Sequence, residues 1–183
     1  MDRDGRSGPL VGYRVLDLGS LIAGPLIATL LADFGADVVK IERPGAGDPL
    51  RAMGWHRPGD PDSVWWQFIG RNKRSVAADM RTAEGQGLVR RLVTKADVLI
   101  ENFRPGVLER WGLDPDTLRG LNPRLVVARV SGYGQSGPYR DLPGFGSMVQ
   151  AGLGIPGVDL LTAHGICSSS AMAVKAAVNA LKS

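Results

Sequence analysis

The stretch Tyr13–Pro44, YRVLDLGSLIAGPLIATLLADFGADVVKIERP, decides the fold. It opens on a short apolar strand, YRVLDLG. GPLIATLLADFGA then has helical spacing, with Leu26, Leu30 and Leu31 on one side and Gly35 placed for a C-cap. DVVKIERP reads as a second strand, stopped by Pro44. Strand, helix, strand at this spacing is a βαβ unit, and the same alternation continues downstream.

RSVAADM reads as a third strand. The helix TAEGQGLVRRLVTKA follows, with Thr82 suited to its N-cap. DVLIENF reads as the next strand. PGVLERWG starts a helix with Pro105 in its first turn, and DPDTLRGLN adds a short helix capped by Asp114 or Asp116. RLVVARVSGYG is a further strand. The residues from Gly45 to Gly70 look irregular, with Pro, Gly and Trp55, Trp65 and Trp66. Strands as uniformly apolar as LVVARV need both sheet faces covered, which points to a mostly parallel, Rossmann-like α/β sheet. Ligands of such sheets sit at the carboxyl ends of the strands. The loops there are GSLIAGP, ERPGAGDP, NFRPG and SGYGQSGPYRDLPGFG, and three of them carry arginine.

The 183 residues suit one ordinary domain, or one domain plus a piece of another. The composition is 44% hydrophobic and 22% charged, as in globular proteins. The net charge of +4 is scattered, which disfavours nucleic acid and fits a basic pocket for an anion. The single cysteine excludes an internal disulfide and fits a reducing compartment. MDRDGRSGPL lacks the apolar stretch of a signal peptide, and the run Leu21–Ala32 is too short to span a bilayer, which needs roughly 20 residues. A cytoplasmic protein with no membrane partner is expected. No metal ligand set and no permanently bound cofactor are expected. No G-x-G-x-x-G follows the first strand, so a dinucleotide cofactor lacks its main signature.

Three segments carry a family resemblance: Val15–Arg51, Asn72–Gly85 and Ala96–Met148, the last ending in RDLPGFGSM. From about Val11 to Met148 the chain resembles family III CoA transferases, the group of formyl-CoA and carnitine CoA transferases, with α-methylacyl-CoA racemase as a relative. The resemblance implies a domain that binds the nucleotide of coenzyme A, an interlocked homodimer, and a CoA thioester and a carboxylic acid as substrates. It implies that Leu21, Ile22 and Ala23 line the CoA site and that Arg43 contacts the nucleotide, with Ala78 and Arg81 beside it. It implies a wall of Asn102, Phe103 and Arg104, and a phosphate contact from Arg110. Chemistry supports the arginines, whose planar forks bind phosphate oxygens bidentately. The alternative is that they are solvated charges paired weakly with Glu42, Glu101 or Glu109. The loops GAG and GYGQSG also stand as simple turns.

The family's transferases use an aspartate nucleophile that forms anhydride and thioester intermediates. It would lie a few tens of residues beyond PGFGSM, where the resemblance has ended, so turnover is in doubt; Asp159 is not assigned that role. The racemase branch has a histidine where this chain has Phe145.

Residues 153–183 hold HGICSSSAM, His164–Met172, at the start of an apolar helix whose only polar stripe is Lys175, Asn179 and Lys182. This segment is similar to the cysteine helix of ketoacyl synthase III and its thiolase-fold relatives. A helix N-terminus stabilises a thiolate, so Cys167 is a catalytic candidate under that reading, against a plain buried cysteine. The partner residues of that family, a histidine and an asparagine or second histidine, are not expected in this segment, and His164 reads as a turn residue. The expected organisation is a flexible tail at 1–10, an incomplete CoA-transferase-like domain at 11–148, and a foreign strand and helix at 149–183. The expected function is binding of CoA or acyl-CoA by a truncated transferase domain. The alternatives are acyl transfer through Cys167 and a non-catalytic CoA-binding or oligomerisation module.

Overall fold

The computed structural model describes residues 5–142 and 144. Phe145, Cys167 and the whole of 149–183 lie outside them. Five strands form one parallel sheet: β1 Arg14–Asp17, β2 Asp37–Glu42, β3 Lys73–Ala77, β4 Val98–Glu101 and β5 Val126–Arg129. Their spatial order is β3-β2-β1-β4-β5. The chain builds outward from β1 to β3, then crosses back to lay β4 on the other side of β1. Loops leaving β1 and β4 therefore diverge and open a crevice at their carboxyl ends.

Strand residues alternate between two apolar layers. Val15, Val38, Val98 and Ile100 pack on Ile27, Ala28 and Leu31 of α1, Ala23–Asp33. Leu16, Ile41 and Leu99 pack the other way, on Val89 and Val93 of α3, Ala83–Val93, and on Leu118 of α5, Pro115–Leu121. Both faces are buried, which is why the strands read apolar throughout.

The local signals mostly act as anticipated. Thr82 caps α3 by accepting from the Gly85 amide, and Asp114 caps α5 by accepting from that of Thr117. Gly35 follows the end of α1 at φ +100°, a conformation that suits glycine. Two expectations need correction. The segment 45–70 contains a 3₁₀ turn, Pro49–Ala52, and α2, Val64–Ile69, capped by Ser63. Its apolar spacing is carried by Leu50, Trp66 and Ile69 packing on Leu26, a small separate cluster too short to read as a period. Pro105 does not enter α4, Val107–Arg110, because Gly106 at φ +83° is the N-cap.

Candidate functional site

The carboxyl ends of β1, β2 and β3, with the loop after β4, enclose a cleft of about 250 Å³. Leu18, Gly19 and Ser20 form its floor beyond β1. Arg43, Ala46 and Asp48 come from the loop after β2, and Ala78, Asp79 and Arg81 from the end of β3. Phe103 and Trp111 close the β4 side as an edge-to-face pair with ring centres 5.2 Å apart. A second, more open hollow shares Glu42, Arg43 and Gly47 with the first and adds Arg51 and Ser75.

Of the residues named from sequence, Arg43, Ala78, Arg81 and Phe103 line this cleft. Leu21, Ile22 and Ala23 sit at the bend where the floor turns into α1 and are not on its lining. Asn102 acts from behind: its Oδ1 accepts from the Ser20 amide at 2.8 Å, and its Nδ2 donates to the Ser20 carbonyl at 2.9 Å. Arg104 and Arg110 are exposed and lie off the lining.

The glutamates beside the three arginines are already engaged. Glu42 accepts from Arg51 Nε at 2.8 Å. Arg129 donates to Glu101 at 2.7 Å and to Glu109 at 2.8 Å. The side chains of Arg43, Arg104 and Arg110 make no hydrogen bond or ion pair among the described residues, so pairing with Glu42, Glu101 or Glu109 does not explain them. Arg81 differs, since its guanidinium forks onto Asp79 at 2.9 and 2.6 Å. Hydrogen bonds from Arg81 hold the Asp79 carboxyl well below the usual range, and Arg43 adds to the effect.

Beneath the floor lies a cluster that the sequence reading missed. Asp17, Lys40, Asp48 and Lys73 have side chains no more than 2% exposed. Lys73 Nζ binds Asp17 at 2.9 Å and the Pro25 carbonyl at 2.6 Å. Lys40 Nζ lies 3.1 Å from Asp48 and 3.7 Å from Asp17. Burial pushes the Lys73 ammonium below its ordinary value, and Asp17 opposes that push. Glu42 joins the edge of the cluster. Burial would raise its carboxyl, but donors on Arg51 and Ser75 and the Asp48 amide prevail and lower it to about 2. The signal was Asp17 and Lys40 standing inside strands buried on both faces, where a charge must find a partner. Among the described residues there is no metal-binding group of His, Cys, Asp and Glu, and no helix long and apolar enough to cross a membrane.

Residues 10–177 match CoA-transferase family III. The matched span runs past Met148 and includes Cys167. The chain is 55% identical over 147 residues to succinyl-CoA–D-citramalate CoA-transferase of Chloroflexus aurantiacus, covering 80% of this chain and 36% of that protein. It is 45% identical over 154 residues to succinate–glutarate CoA-transferase of Agrobacterium fabrum, covering 81% of this chain and 38% of that protein. The crystal structure of Rv3272 from Mycobacterium tuberculosis superposes with a TM-score of 0.82 at 34% identity, over 97% of this chain and 52% of that one. A CAIB/BAIF family protein from Brucella suis gives 0.76 at 35% identity, over 93% and 51%. The chain thus spans under two fifths of those two curated relatives and about half of those solved chains.

Proposed function

Because the chain belongs to CoA-transferase family III, we propose that it binds CoA or an acyl-CoA in the cleft beyond β1, β2 and β3, as part of an enzyme that moves CoA between carboxylic acids. One observation carries the binding half of this reading. The Arg43 guanidinium stands on the cleft wall with no hydrogen-bonding partner, while the neighbouring Glu42 is saturated by Arg51 and Ser75. An unpaired guanidinium at the carboxyl edge of a parallel sheet suits the pyrophosphate and 3′-phosphate of CoA. Exposed Arg104 and Arg110, next in sequence to Phe103 and Trp111, add positive charge beside the loop after β4, and the apolar faces of Phe103 and Trp111 suit the uncharged pantetheine arm. The acceptor is a small dicarboxylic acid, as the names of the succinate–glutarate and succinyl-CoA–D-citramalate enzymes suggest. The working form is a cytoplasmic homodimer, and the covalent step belongs to residues outside the cleft described.

Calorimetric titration with coenzyme A tests the reading. The wild-type chain binds saturably, and Arg43→Ala weakens binding roughly tenfold or more, the worth of a charge-assisted contact. A well-folded wild-type chain that fails to bind, or a variant that binds equally well, overturns it.

A further inference from the structure

The cleft floor at Gly19 and Ser20 and the bend after it at Leu21 are held by side chains at almost every backbone polar group. Asp17 Oδ1 accepts from the Gly19 amide at 3.0 Å, and Lys40 Nζ donates to the Gly19 carbonyl at 2.6 Å. Asn102 takes both polar groups of Ser20. Asp48 Oδ1 accepts from the Leu21 amide at 3.1 Å and from the Leu50 amide at 2.9 Å. Leu21 itself has φ +62°, a left-handed conformation that a branched side chain adopts only under constraint. Such bends persist when their surroundings over-determine them, and they concentrate at functional sites.

Resting on the CoA reading above, we propose that Asp48 is a positioning residue for the CoA site. Through the Leu21 amide it holds the strained bend that sets the height of the Gly19–Ser20 floor. Lys40 orients it, because the second carboxylate oxygen has no hydrogen-bond donor and faces the ammonium at 3.1 Å. The Asp48 backbone is fixed from the other side, its amide donating to Glu42 at 2.8 Å. Without that acceptor the freed Leu21 amide would let the residue relax toward an ordinary φ and carry the floor with it. Gly19 leaves little room for that shift to be harmless, since even a methyl there would lie 2.9 Å from Pro25 Cδ.

The test separates the acceptor from the charge. Asp48→Ala removes both. Lys40→Met/Asp48→Asn and Lys40→Met/Asp48→Ala both remove the charge pair and the Lys40 donor to the Gly19 carbonyl, and they differ only in whether position 48 keeps an acceptor for the Leu21 and Leu50 amides. Coenzyme A is titrated into the full chain of each form by calorimetry, with thermal unfolding alongside. Asp48→Ala is expected to weaken CoA binding about tenfold or more, and the Lys40→Met/Asp48→Asn form is expected to bind about tenfold more tightly than the Lys40→Met/Asp48→Ala form, whatever their melting points. A folded Asp48→Ala protein with wild-type affinity overturns the proposal. So do two folded double variants of equal affinity, and that second result decides the matter even if Asp48→Ala does not fold. Failure of the wild-type chain to bind CoA is a different outcome, and it removes the functional reading first.

Discussion

Two sets of ion pairs serve this domain, and they use the same residue types. Under the cleft, the side chains of Asp17, Lys40, Asp48 and Lys73 are almost fully buried, and all four also hold backbone of the floor, of the bend after it or of α1. On a surface rim at the other, amino end of the sheet, Arg71 pairs with Asp33 at 2.6 Å and Arg74 with Asp37 at 2.6 Å, with water at hand on both sides. Removing one member of a buried cluster leaves an uncompensated charge in a poor solvent, whereas an exposed partner simply returns to water. The difference teaches that distance alone ranks neither set. The Lys40–Asp17 separation of 3.7 Å is longer than either rim contact, yet it sits where a missing partner costs most.

The sharpest break of this contrast is Asp17→Ala. Asp17 is the carboxylate nearest Lys73 and also reaches Lys40. Its loss leaves two buried ammonium groups with Asp48 alone, so destabilisation of about 3–5 kcal/mol is expected. Urea unfolding monitored by tryptophan fluorescence measures it. A loss below about 1 kcal/mol would place the buried cluster with the rim pairs and end the distinction.

Glu42 sharpens the contrast through pH. Its folded carboxyl lies at about 2, against an ordinary value of 4.5. A depressed carboxylate stabilises the fold fully above the unfolded value, and that contribution is lost as pH falls from 4.5 toward 2. Glu42 is buried, so the contribution is on the order of 2–3 kcal/mol. Glu42→Gln is expected to lower stability at pH 7 and to flatten the wild-type decline across that acid window. Equal acid slopes in the two proteins would mean that the decline comes from other carboxylates.

What could be read in advance divides along the same line. The sheet, its helices and the caps at Thr82 and Asp114 were legible because each rests on local chemistry: apolar runs, a hydroxyl or carboxylate before a helix, a glycine after one. α2 was hidden because its apolar residues answer to Leu26 and Leu50, distant in sequence, rather than to a period of their own. The cleft-facing Arg43 and Phe103 were reachable through their place after strands and through the family resemblance. Lys40 and Asp48 were not singled out, since their roles depend on a carbonyl and an amide in the loop after β1 that only the folded chain brings near. Arg51 was missed for the same reason: it engages Glu42 and Asp62 and stacks 3.9 Å over Trp66 across a segment that looked shapeless.

The smallest expected effects test the other side of the comparison. Asp114 closes the first turn of α5, accepting from the Thr117 amide at 2.9 Å and from its hydroxyl at 2.7 Å. Asp114→Ala is expected to cost about 1 kcal/mol, because an orphan helix amide loses its acceptor and water replaces it imperfectly. Arg74 has a shorter contact to Asp37, at 2.6 Å, but its side chain is 61% exposed and Asp37 keeps Arg6 at 3.1 Å. Arg74→Ala is therefore expected to cost under about 0.5 kcal/mol and to vanish into error at high salt. Both are read from unfolding curves at low and high ionic strength. If Arg74→Ala proves costlier than Asp114→Ala, contact length outranks burial and backbone satisfaction. The same reasoning that makes Asp48 more than a structural ion would then lose its footing, since its Leu21 contact is the longer kind.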